Sequence, residues 1–124
     1  MKLLLALFAL MLAVGAASFW AWRAAPVASP CAERDLAQAR SPDGRTLAEV
    51  FEKSCGQSVS THVSLRPAAA PPLARSDVFV AAGTPRVTLL WNDDRKLVVE
   101  TPADRVLVEE SSWRNVGVRL RRVR

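Results

Sequence analysis

The sequence predicts a mainly β protein behind one N-terminal transmembrane or signal helix. The β part reads as a small antiparallel meander, a sandwich or an open barrel, of about six to eight short strands. Residues 3–22 carry no charge and lie between Lys2 and Arg23. After them, short runs of alternating polarity recur, separated by Pro, Gly and Asp turns. Outside the apolar run no long stretch repeats with helical period. These observations divide the chain into a helix over 1–24, a short linker over 25–30 and a β-domain over 31–124. The roughly 100 residues beyond Arg23 suffice for one small domain and not two.

A helix of this length, rising about 1.5 Å per residue, covers the roughly 30 Å hydrocarbon core of a bilayer. The preferred reading is a retained anchor that contacts the membrane through residues 3–22. The apolar run continues past the small residues Gly15-Ala16-Ala17 and ends in Phe19, Trp20 and Trp22, rings that favour the membrane–water interface. The alternative is a signal peptide: Lys2 as the basic region, 3–12 as the apolar region, and cleavage near Ala17 releasing the domain to the periplasm. A lipoprotein reading fits less well, because Cys31 follows Ala28-Ser29-Pro30. Lys2 and the amino terminus favour the cytoplasmic side, and Arg23 alone does not reverse that. The expected location is the inner (cytoplasmic) membrane, single-pass, with 31–124 facing the periplasm or the exterior.

Seventeen basic residues against twelve acidic ones give a net charge of +5, and most of the basic ones are arginine. That balance favours anionic lipid heads or acidic polymers; outside the cytoplasm, nucleic acid is not an expected partner. Cys31 and Cys55 are the two cysteines, and both follow the apolar run. In an oxidising compartment such a pair reads as a structural disulfide. With His62 as the one histidine, a zinc site lacks a ligand unless a carboxylate joins. The cysteines are also far from the two-residue spacing of a thioredoxin-like pair.

Ser41-Pro42-Asp43-Gly44 is the sharpest turn signal: proline presets φ, aspartate caps its own backbone, and glycine accepts a left-handed conformation. A type I turn followed by that glycine predicts a three-residue loop with Ser41 opposite Arg45. Extended outward, the register sets Glu33 against Lys53, Arg34 against Glu52 and Cys31 against Cys55. The two opposite-charge pairs each favour it by a few tenths of a kcal/mol up to about one. Closing a loop of about 25 residues contributes roughly 3 kcal/mol. The alignment assumes unbroken pairing; Asp35 opposite Phe51 adds nothing to it, and 36–39 also reads as a helical turn.

Next, Val59, Thr61, Val63 and Leu65 alternate with Ser58, Ser60, His62 and Ser64, a half-buried strand. The proline-rich stretch 66–72 reads as a surface loop. Further strands are expected at 78–81, 87–91, 97–100, 106–108 and 116–120. Asn92-Asp93-Asp94-Arg95 and Pro102-Ala103-Asp104 are the expected turns between neighbouring strands. Phe79 and Trp91 are the expected large core residues, and Trp113 is expected at a loop or rim.

Together, Ser41-Pro42-Asp43-Gly44, Cys55-Gly56, the Ser/Thr-rich strand 60–65 and the strand-turn-strand 91–99 resemble a group of small exported or membrane-anchored bacterial proteins. The similarity covers roughly 31–120, departing at Gln57-Ser58 where the group has Ala-Thr. It supports the β fold, and it implies no activity.

His62 lies among serines on the polar face of its strand. A Ser/His/Asp hydrolase needs a nucleophile, a base and a carboxylate in reach, with Ser60 or Ser64 and Asp77 or Asp93 as candidates. No nucleophile motif accompanies them, so the expectation is an exposed strand histidine. Asp93-Asp94 reads as solvated turn chemistry, since calcium needs six or more oxygens. No catalytic, cofactor-binding or metal-binding residue is assigned, and no cofactor is expected. In the last segment Val116, Val118 and Leu120 take one face, Arg119 and Arg121 the other. Arg119, Arg121, Arg122 and Arg124 are candidate contacts to an anionic surface. The expected function is a non-catalytic binding or adaptor module of the bacterial cell envelope, engaging an envelope protein or an anionic lipid or polymer. The alternative is a small envelope enzyme, or an inhibitor of one, using a groove around His62.

Overall fold

The computed structural model describes residues 1–24 and 31–124, without the side chains of 19–24. The expected linker, 25–30, lies outside the described residues, as do the aromatic side chains expected to mark a membrane interface. Helix α1 spans Lys2–Ala24. Among the described residues no helix is long and apolar enough to cross a membrane, so the structure does not support the expected transmembrane span.

Among the described residues nine strands follow: β1 (Cys31–Arg40), β2 (Thr46–Cys55), β3 (Ser58–Pro67), β4 (Ser76–Ala82), β5 (Thr88–Asp93), β6 (Lys96–Thr101), β7 (Val106–Glu109), β8 (Ser112–Trp113) and β9 (Val116–Arg122). The protein is mainly β, as expected, although the first three strands are ten residues each rather than short. One sheet runs β1-β2-β3-β4-β7 and the other β5-β6-β9-β8. The strand order does not close either sheet into a barrel.

Strands β1 and β2 carry the expected pairs Cys31–Cys55, Glu33–Lys53 and Arg34–Glu52. The disulfide joins Cys31 and Cys55, whose Cα atoms are 4.2 Å apart. Two details differ from the sequence reading. Ser41 faces Thr46, its N–H donating to the Thr46 carbonyl at 2.9 Å, so the loop holds one residue more than expected. The register then shifts between Asp35 and Ala37, and Leu36 is the extra residue of the bulge. The segment 36–39 is thus strand and not a helical turn. Gly44 has φ of 75°, the left-handed conformation the turn requires. Gly56, at φ 64°, lets β2 and β3 join through two residues, with Cys55 facing Ser58.

Alternation along β2 and β3 separates two faces. Ala48, Val50, Val63 and Leu65 point into a core shared with Phe79 and Ala81 of the same sheet and Leu97, Val99 and Val116 of the other. Phe79 is fully buried there, as expected, while Trp91 is only partly buried against the core. Trp91 Nε1–H donates to the Ala39 carbonyl at 3.1 Å, tying β5 to β1 across the sheets. Trp113, expected at a loop or rim, lies in the two-residue edge strand β8 and packs partly against the core.

The meander expectation fails at Thr101. Pro102-Ala103-Asp104 does not join neighbouring strands of one sheet. It carries the chain from β6 into β7, which pairs with β4 in the opposite sheet. The buried Thr101 hydroxyl accepts from the Ala103 N–H at 3.2 Å at this corner. After that excursion β9 returns parallel to β6, consistent with the dozen or more residues that a parallel connection needs.

Candidate functional site

The outward residues of β2 and β3 form a polar and aromatic patch on the five-stranded sheet. Register places Phe51 beside His62 and Lys53 beside Ser60. The Phe51 and His62 rings stack with centroids 4.9 Å apart and planes 15° apart. The proline-rich connection ends in a short 3₁₀ turn (Pro72–Ala74) that delivers Arg75 onto this face. Its guanidinium lies 3.9 Å from the Phe51 centroid and pairs with Glu33. This cover leaves His62 only 8 % exposed, not the solvated side chain its serine neighbours suggested.

His62 is held at both nitrogens. Nδ1 lies 3.0 Å from Asp77 Oδ2 and Nε2 2.7 Å from Ser60 Oγ. A carboxylate only accepts, so Nδ1–H donates to Asp77, while Nε2 and the Ser60 hydroxyl share the second hydrogen bond. The order Ser60–His62–Asp77 is that of a nucleophile, a base and its orienter. Of the sequence candidates, the fold brings Ser60 and Asp77 to His62. Ser64 is fully buried, its hydroxyl lacking a hydrogen-bond partner among the described residues. Asp93 lies at the β5–β6 turn, where it accepts from the Arg95 N–H at 2.8 Å and pairs with Lys96.

A groove of about 240 Å³ adjoins the cluster, lined by Glu33, Phe51, Lys53, His62, Leu73, Arg75 and Asp77. Ser60 does not line it. The concavity offers two carboxylates and two cations, while the hydroxyl lies beyond the imidazole. The Ser60 backbone faces Lys53 on one side and Ala82 on the other. It therefore sits in regular sheet and not at a sharp turn where main-chain N–H groups gather to hold an oxyanion. On the same face Arg66 makes a well-buried pair with Glu49 at 2.9 Å and donates to the Ala70 carbonyl at 2.6 Å.

The second feature is β9. Val116, Val118 and Leu120 turn toward the core, as the alternation predicted. Arg119, Arg121, Arg122 and Arg124 are all exposed, but they are not equivalent. Arg121 pairs with Glu100 of β6, which neutralises it. Asn92, Val98 and 119–122 border a depression of about 420 Å³.

Comparison with known proteins adds no relative: no family model, no curated protein and no solved structure matches this chain.

Proposed function

We propose that the chain is a non-catalytic binding module of the bacterial cell envelope. It is a β-sandwich held at the membrane by residues 3–22, with 31–124 on the extracytoplasmic side and an anionic partner engaged by β9. The observation that carries this reading is the exposed basic strand: Arg119, Arg122 and Arg124 are exposed along the last segment and lie outside the ion pair that occupies Arg121. The tether is read from the uncharged run 3–22. Its large apolar side chains from Leu3 to Val14 are all at least half exposed, the least exposed being Leu7 at 53 %. A helix apolar on every side requires an apolar surrounding, and the described core is filled by the sheets alone. An oxidising compartment accords with the disulfide.

The test uses the full chain in phosphatidylcholine nanodiscs, titrated with polyglutamate. At about 1 kcal/mol for each well-placed arginine, the variant Arg119→Gln/Arg122→Gln/Arg124→Gln weakens binding by roughly 100-fold. Unchanged affinity overturns the reading. A fluorescent reporter that lights up in the cytosol when fused after Arg124 overturns the topology.

The Ser60–His62–Asp77 chain favours a second reading, a small serine hydrolase. It is the weaker one, because Ser60 lies off the groove and in regular sheet. Labelling of Ser60 by a fluorophosphonate, abolished in His62→Ala, supports hydrolysis; no labelling removes it.

A further inference from the structure

The main chain of β9 is used on one side and open on the other. Gly117 N–H donates to the Arg95 carbonyl at 2.7 Å and Val123 N–H to the Thr101 carbonyl at 3.1 Å, so the odd-numbered groups face β6. Val118 N–H points the other way and donates to the Ser111 carbonyl at 2.9 Å. By alternation, Leu120 and Arg122 face that same side. The strand that flanks it, β8, pairs only at Val116 and Gly117. Beyond Val118, no strand among the described residues covers this edge.

We propose that this edge takes up an extended acidic segment of a partner protein as an added strand. The inference rests on the binding reading above and gives its partner a chemistry. An unpaired row of N–H and C=O groups is satisfied by another backbone. Lipid headgroups and non-peptide polyanions carry no such ladder. Charge selects the sequence: Arg119 and Arg122 project to opposite faces of the strand, so carboxylates alternating with apolar residues meet one or the other. A second copy of this chain is disfavoured, because pairing two such edges sets arginine against arginine.

The experiment uses the full chain in phosphatidylcholine nanodiscs and three labelled peptides of alternating Glu and Val. One is unmodified, one is N-methylated on the side that would face β9, and one is N-methylated on the opposite side. The first and third are expected to bind about tenfold or more tighter than the second, and amide exchange at Leu120 and Arg122 to slow by a similar factor. Arg119→Glu/Arg122→Glu weakens the unmodified peptide at least as much. Equal binding of all three peptides with unaltered exchange overturns strand addition, and retained polyglutamate binding then leaves the basic-surface reading intact. Preference for phosphatidylglycerol vesicles over the peptides overturns it in favour of a membrane contact. Loss of both peptide and polyglutamate binding ends the inference and the binding reading together.

Discussion

Leu36 cancels Arg45. The turn between β1 and β2 is one residue longer than its sequence motif predicts, because Arg45 belongs to the loop and Ser41 pairs with Thr46. Five residues earlier β1 bulges at Leu36 and absorbs the difference, so Cys31 again faces Cys55. With Leu36 paired instead, every pair beyond it slips by one. Inserting one alanine between Asp35 and Leu36 pairs the added residue with Phe51, sets Cys31 against Gly56 and exposes alkylatable thiols in unreduced protein. Deleting Leu36 alone removes only the unpaired residue, leaves Asp35 opposite Phe51 and keeps the pair blocked. Mass spectrometry after alkylation reads both; blocked thiols in the insertion variant, or free ones in the deletion, contradict the mechanism.

The Glu49–Arg66 pair is shielded, with side chains only 8 % and 12 % exposed. Removing one partner leaves an uncompensated charge. Glu49→Ala is expected to cost about 3 kcal/mol or more in chemical denaturation, and Glu49→Leu/Arg66→Met to recover most of the loss. A double variant as unstable as the single one argues against the buried-charge account.

Trp91→Phe removes the bond from Nε1–H to the Ala39 carbonyl while keeping an aromatic ring near the core. The expected loss is about 1 kcal/mol, with faster amide exchange concentrated in β1 and β5. A uniform change across both sheets would mean that Trp91 acts through packing alone.

Asp43 accepts the Ser41 hydroxyl at 2.6 Å and the Arg45 N–H at 3.1 Å. The Ser41 bond first, then the Arg45 N–H, holds its carboxyl below the ordinary aspartate value. A depressed carboxyl stabilises the fold above its unfolded pKa of about 3.9 and loses that contribution as pH falls through the lower folded value. The stability difference between the native chain and Asp43→Asn is therefore present at neutral pH and shrinks below about pH 4. Denaturation midpoints for both proteins across acid pH measure it; a gap independent of pH removes the carboxylate from the account.

Local signals carried the β1–β2 hairpin, the faces of β3 and the faces of β9, because period-two alternation and turn chemistry act within a few residues. The bulge at Leu36 left no such mark. The cysteine alignment emerged despite it, because an error in loop length and an error in pairing have opposite sign. The candidate site was legible only in its members. Ser60 and His62 share a face by simple alternation. Asp77 reaches them because β4 pairs with β3, with a register shift between Val63 and Ser64. Nor does the sequence indicate that Phe51 and Arg75 roof the imidazole.

By itself, then, the sequence determined the β character, the facing cysteines and the arginine-bearing last strand, all set by interactions between near neighbours. The tertiary structure alone decided that β7 crosses to the other sheet, that β9 returns parallel to β6, and that Glu100 claims Arg121 while the neighbouring arginines stay exposed. Those outcomes depend on which strands bury their apolar faces together, a choice made by the whole core and not by any one segment.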